Sequence, residues 1–103
     1  MDAQMKKGLL DACVLAVLSR EESYGYKLIA DLKDIIEISE STLYPILKRL
    51  EVSGCLTTVS REYQGRTRKY YTITKGGRHR LADYKLDWVQ MKEIYGKIFG
   101  MGD

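Results

Sequence analysis

Ser41, Thr42, Tyr44 and Lys48 fall within one short helical pattern, and Arg66, Arg68 and Lys69 follow it in a basic, glycine-bearing segment. Hydroxyls, a phenol and an ammonium on one side of a helix can address base edges and phosphates, and a guanidinium forks onto a phosphate or a guanine edge. Catalysis has less to stand on. His79 is the single histidine, Cys13 and Cys55 lack a short CxxC spacing, and there is no P-loop, GxSxG or HExxH motif. No enzyme, metal site or cofactor is expected; both cysteines are read as buried free thiols and His79 as solvent-exposed.

Charge separates this region from the rest. Residues 41–80 hold nine Lys/Arg against two acids, a local +7, while the other residues carry −4, so the overall +3 conceals a polarised chain. A polyanion along 41–80 is the partner such a map favours, and double-stranded DNA is its obvious form.

The elements that must position these residues follow from periodicity. Leu9, Leu10, Cys13, Val14, Val17 and Leu18 predict a first helix over Gly8–Leu18. A second helix is expected from Ser23 or Tyr24, with Leu28, Ile29 and Leu32 inward and Tyr24, Tyr26 and Lys27 at its start, where they could hold a DNA backbone. Gly25 there serves close helix packing or close approach to a phosphate. Leu43, Ile46, Leu47 and Leu50 define the buried face of a third helix, with Ser39 as N-cap and Gly54 as the residue that ends it. Pro45 implies that this helix starts late, bends, or accommodates Pro in its first turn.

Cys55–Glu62 and Lys69–Thr74 alternate as strands. Gly65 marks the turn, and Gln64–Lys69 is read as a projecting loop from which Arg66, Arg68 and Lys69 reach phosphates or a minor groove. Arg49, Tyr70 and Tyr71 are as well explained by structural roles. The fold class is thus mainly α with a small β-hairpin: a winged helix-turn-helix over residues 5–75 followed by a C-terminal dimerisation helix over 76–100. In that last helix Leu81, Tyr84, Trp88, Met91, Tyr95 and Ile98 recur at 3, 4, 3, 4, 3, a heptad seam. One small core cannot bury it all, so a homodimer is expected, with Leu9 and Cys13 of the first helix near the same interface. Trp88 packs in that seam or lines a cavity for a flat hydrophobic or aromatic effector.

Tyr24-Gly25-Tyr26, Thr42-Leu43-Tyr44-Pro45, Lys48-Arg49-Leu50-Glu51, Gly54, Gly65-Arg66, Arg68-Lys69-Tyr70-Tyr71 and Thr74-x-x-Gly77, taken in order, resemble the PadR family of bacterial transcriptional regulators over about Leu9 to Trp88. The resemblance implies a winged helix-turn-helix repressor that dimerises through its C-terminal region, here in the short form with a single C-terminal helix. Gly76 ahead of Gly77 departs from the pattern and could loosen the junction between wing and last helix.

The chain of 103 residues fits one compact domain. No apolar run is long enough to span a bilayer and the start does not read as a signal peptide, so a cytoplasmic location is expected. Together these features point to a sequence-specific regulator, expected to repress, that reads a pseudo-palindromic operator as a homodimer. A winged-helix module that binds an acidic protein surface is the rival reading.

Overall fold

The structure, a computed structural model, describes residues 1–100. Helix α1 (Ala3–Leu18) begins where Asp2 caps it, its carboxylate accepting from the Met5 N–H at 2.9 Å. Periodicity placed this start at Gly8. Residues 3–7 are all exposed, so they carry no buried stripe, and a polar cap instead sets the boundary. Helices α2 (Gly25–Leu32) and α3 (Glu40–Val52) close a three-helix core in which Val14, Leu15, Leu28, Leu32, Leu43, Leu47 and Leu50 are fully buried. Pro45 lies inside α3, which starts at Glu40 rather than late. The Ser39 side chain does not cap it; its hydroxyl joins those of Ser41 and Thr42 at 3.0 and 3.2 Å.

One charge lies within the helical packing. The Asp11 side chain on α1 is 6% exposed and pairs with Arg49 on α3, whose own side chain keeps 36% of its surface in water. A carboxylate this far from solvent needs its counter-charge.

The end of α3 is a Schellman motif: Gly54 takes φ +82°, its N–H donates to Glu51 O at 3.0 Å, and the Cys55 N–H reaches Leu50 O at 2.8 Å. The chain then runs directly into β1 (Leu56–Tyr63), paired antiparallel with β2 (Arg66–Ile73) from Leu56↔Ile73 to Tyr63↔Arg66. Only Gln64 and Gly65 form the turn, both at positive φ (50° and 78°), the combination of a type I′ hairpin whose twist matches the strands it joins. The expected long loop is therefore strand: Arg66, Arg68 and Lys69 belong to β2. The inner face, Leu56, Tyr71 and Ile73, seals the core. Ser23 exchanges backbone hydrogen bonds with Tyr71 at 3.1 and 2.7 Å, tying the hairpin to the chain just before α2.

Helix α4 (Lys75–Phe99) starts from a hub at Thr74. Its hydroxyl accepts from the Gly77 N–H at 3.0 Å and donates to Gly54 O at 2.6 Å, while its own N–H donates to Cys55 O at 2.9 Å. A Cβ on Gly77 would collide with the Cys55 carbonyl oxygen, so this glycine lets the first turn of α4 pack closely on the base of the wing, whereas a Cβ on Gly76 would meet only ordinary contacts with Gly54 O and Thr74 Oγ1. Leu81 is buried and Tyr84 half-buried against the helical core, so the first turns of α4 belong to the winged domain and the remainder extends beyond it. The described residues span 56 × 26 × 22 Å, and none of their helices is long and apolar enough to cross a membrane.

The Asp11–Arg49 pair has an asymmetric consequence. Arg49→Ala strands a buried carboxylate and should cost about 3 kcal/mol of unfolding free energy, whereas Asp11→Ala frees an arginine that already reaches water and should cost less. Urea titrations of both variants measure the difference; equal losses would show that burial of Asp11 does not set the cost.

Candidate nucleic-acid interface

The hairpin, the start of α2 and the outer flank of α3 enclose an open cleft of about 820 Å³. It brings together six residues singled out in the sequence: Tyr24 and Tyr26 from α2 and its cap, Tyr44 from α3, and Arg66, Arg68 and Lys69 from β2. Gly25 makes the cleft possible, since a Cβ there would sit 2.2 Å from the Tyr44 hydroxyl oxygen. The expected close packing is present, between α2 and the Tyr44 ring of α3. Burial pushes the Tyr44 hydroxyl above the ordinary tyrosine range, with Glu40 adding to the push, so it remains a proton donor at neutral pH.

The cations in the cleft are not alike. Arg68 is clamped between two rings, its guanidinium carbon 3.9 Å from the centroids of both Tyr24 and Tyr63. Such a stack takes the faces of the guanidinium, while the Tyr70 side chain meets its edge and raises the Arg68 pKa. Tyr70 packs edge-on against Tyr24 at 5.5 Å and lies under Arg61 at 4.7 Å. Arg61 in turn holds Glu22 through both carboxylate oxygens, and that bond keeps the Glu22 carboxyl below its usual range. Lys69 reaches to 3.8 Å from Glu51, a loose pair. Arg66 stands exposed beside the turn, with no ion pair among the described residues.

Other predicted residues lie elsewhere. Lys27 is held by Glu21 at 2.8 Å and Asp31 at 3.3 Å, contacts that raise its pKa, and it lines a separate groove with those acids rather than the cleft. Ser41 and Lys48 are exposed on the outward stripe of α3 with Pro45 and Val52, at helical spacing 3 and 4. Thr42, one residue on, turns towards α1 and Tyr44 towards the wing.

Of the seam residues, Leu81 and Tyr84 pack in the chain's own core, and Leu9 and Cys13 are part-buried on α1. Burial pushes the Cys13 thiol up, so it stays a thiol; Cys55 is buried, and His79 is exposed. Beyond Tyr84 the seam is bare. Trp88 is 38% exposed, Met91 and Tyr95 51%, and Ile98 66%. Trp88 lies between two shallow apolar grooves, one of about 420 Å³ shared with Met5, Leu9 and Met91, the other of about 500 Å³ shared with Tyr95, Ile98 and Phe99. Heptad counting missed Met5 and Phe99. Tyr95–Phe99 is an i, i+4 pair with centroids 4.8 Å apart, a spacing that could have found it. Tyr63, Arg61 and Glu22 were missed too, because contacts across the hairpin leave no local pattern. Among the described residues no group of His, Cys, Asp and Glu is placed to hold a metal.

Residues 14–83 match the profile of the Transcriptional regulator PadR-like family. A solved structure from Streptococcus mutans, smu.1704, is 43% identical, with 91% of this chain and 90% of that one covered at a TM-score of 0.81. A PadR-like transcription factor from Bacteroides fragilis is 35% identical, covering 93% and 95% at a TM-score of 0.85. Transcriptional regulator Rv3488 of Mycobacterium tuberculosis is 36% identical over 63 residues, 61% of this chain and 56% of its own.

The clamp on Arg68 makes Tyr63 testable. Tyr63→Leu should leave the melting temperature nearly unchanged, because the ring is exposed, yet weaken binding to DNA by about 1 kcal/mol as Arg68 loses one of its two faces. Fluorescence anisotropy with a labelled duplex reads this out; unchanged affinity would mean that the clamp does not position Arg68 for DNA.

Proposed function

The chain belongs to the PadR-like family of transcriptional regulators, and from that premise we propose that it is a repressor that binds a pseudo-palindromic operator as a homodimer in the bacterial cytoplasm. The observation that carries the reading is the cleft itself, where three cations of one strand face three tyrosines of the helices beside the exposed stripe of α3. On this reading Tyr44 from the cleft, with Ser41 and Thr42 at the front of α3, addresses base edges, Lys48 on the outward stripe completes the helix contact, and Arg66, Arg68 and Lys69 take phosphates or a narrow minor groove. Tyr24 and Tyr26 flank the backbone. Lys27, at the start of α2, would exchange its contacts with Glu21 and Asp31 for a phosphate.

The bare apolar length of α4 supports the dimer. Trp88, Met91, Ile94, Tyr95, Ile98 and Phe99 are exposed together, an area that a lone chain leaves against water. Pairing of two such faces, with Leu9 and Cys13 alongside, gives a two-fold assembly presenting two α3 helices to two half-sites. The grooves beside Trp88 suit a flat hydrophobic or aromatic effector; its binding would alter the angle between α4 and the winged domain and hence the spacing of the α3 helices. The rival reading, a module for an acidic protein surface, predicts no preference among duplexes.

Selection from random duplexes followed by salt titration tests the DNA reading. An inverted repeat should emerge, and Arg66→Ala should lower the slope of log affinity against log salt by about 0.9. Substitution of Tyr44 or Thr42 should instead change base preference, by about 1–3 kcal/mol per pair. No enriched sequence would favour the protein-binding module.

Sedimentation tests the assembly. Ile98→Glu places a charge at the C-terminal end of the bare seam and should convert a dimer to monomer while leaving the winged domain folded; a wild-type monomer at micromolar concentration would remove the dimer. Aromatic ligands should quench Trp88 fluorescence, and indifference to a broad panel would remove the effector site.

A further inference from the structure

The hairpin flanks α3 on one side only. On its other side α1 and α3 enclose a groove of about 380 Å³ lined by Ala3, Lys6, Lys7, Thr42, Pro45 and Arg49. We infer that this groove is a second phosphate-binding strip, in which Lys6 and Lys7 take the DNA backbone on the flank of α3 away from the wing. The inference rests on the DNA-binding reading and extends it to residues outside the basic segment 41–80.

Helical spacing sets the two lysines apart from the apolar seam. Residues 3, 6, 7 and 10 share one face of α1, whereas Met5, Gly8 and Leu9 share the opposite face with Trp88 and Met91 of α4. Lys6 and Lys7 are therefore not there to rim the seam. Both are exposed, and among the described residues neither enters an ion pair, although Lys27, Arg49, Arg61 and Lys69 each have a carboxylate. Within the groove Arg49 is already answered by Asp11, and the Asp2 carboxylate on the same turn is engaged in capping the Met5 N–H at 2.9 Å. The free positive charge of the groove is that of the two lysines.

The strip is continuous with the proposed reading face. Thr42 lines the groove and is linked through Ser39 to Ser41 at the front of α3. The apolar floor from Ala3 and Pro45 suits a deoxyribose face, and an ammonium on a flexible stem meets a phosphate without a fixed approach angle. A backbone following the outward stripe of α3 thus meets cations on both flanks. In the proposed dimer the opposite face of α1 lies in the seam, so this strip sits on the side of the two-fold axis and its phosphates fall between the half-sites.

The test compares wild type, the double variant Lys6→Ala/Lys7→Ala and Arg66→Ala on a duplex that the wild type enriches from a random pool. Alanine at two exposed helical positions leaves the fold intact, which circular dichroism verifies. The double variant should lower the salt slope by roughly two, and phosphate-ethylation interference should lose positions between the half-sites, whereas Arg66→Ala loses outlying ones. A double variant with wild-type slope and footprint, beside an Arg66→Ala that loses contacts, overturns the strip and leaves the DNA reading standing. Absence of salt-dependent binding by the wild type to any duplex overturns both.

Discussion

The buried carboxylate of Asp11 fixes how α3 can lie. An anion almost out of water tolerates only an arrangement that brings Arg49 to it, and Arg49 occupies the α1-facing flank of α3, two turns from Thr42. With that flank pinned and Leu43, Ile46, Leu47 and Leu50 in the core, the rotation of α3 has no freedom left. Ser41, Pro45 and Lys48 must point outward, and Tyr44 must turn towards the hairpin. The ion pair therefore orients the proposed reading face without belonging to it.

The second constraint is the junction where three elements meet. The Schellman turn at Gly54 feeds β1, and Thr74 joins that turn to the start of α4 by donating to Gly54 O while capping Gly77. Because Gly77 approaches the Cys55 carbonyl too closely for any side chain, the base of the wing and the first turn of α4 are in contact through backbone. Backbone contacts of this kind cannot relax by a rotamer change. These contacts are the route by which the proposed effector response would couple a tilt of α4 to the hairpin and α3.

Electrostatics in the cleft are set more by pairing than by count. Segment 41–80 has a local +7, but Arg49 answers Asp11, Arg61 answers Glu22 and Lys69 leans on Glu51. Of the other six cations, Lys75, Arg78 and Arg80 belong to α4, and those left around the cleft and α3 are Arg66 at the tip, Lys48 on the helix and Arg68 stacked between its two tyrosines. Stacking preorganises Arg68 and lessens the side-chain entropy lost on binding, whereas Arg66 keeps its freedom and reaches further. Preorganised and mobile cations so divide positioning from reach.

The sequence by itself determined the helices, the hairpin and the family. Buried faces repeat at 3.6 or 2 residues, and Gly54, Gly65 and Thr74 mark ends through conformational demands that are local. Six cleft residues were legible for the same reason, since chain-local patterns of aromatic and basic residues mapped onto adjoining elements. What only the tertiary structure decided involves partners far apart in the chain. Lys27 turned to Glu21 and Asp31, Tyr63 became half of a clamp, Leu81 joined the core rather than the bare seam, and Gly25 proved to make room for Tyr44. Two boundaries moved on similar grounds: α1 extends to Ala3 on a polar cap, and β2 absorbs the basic loop because positive φ at both Gln64 and Gly65 closes the hairpin in two residues. Periodicity records which face is buried, but which charge meets which carboxylate depends on distances that exist only after the chain has folded.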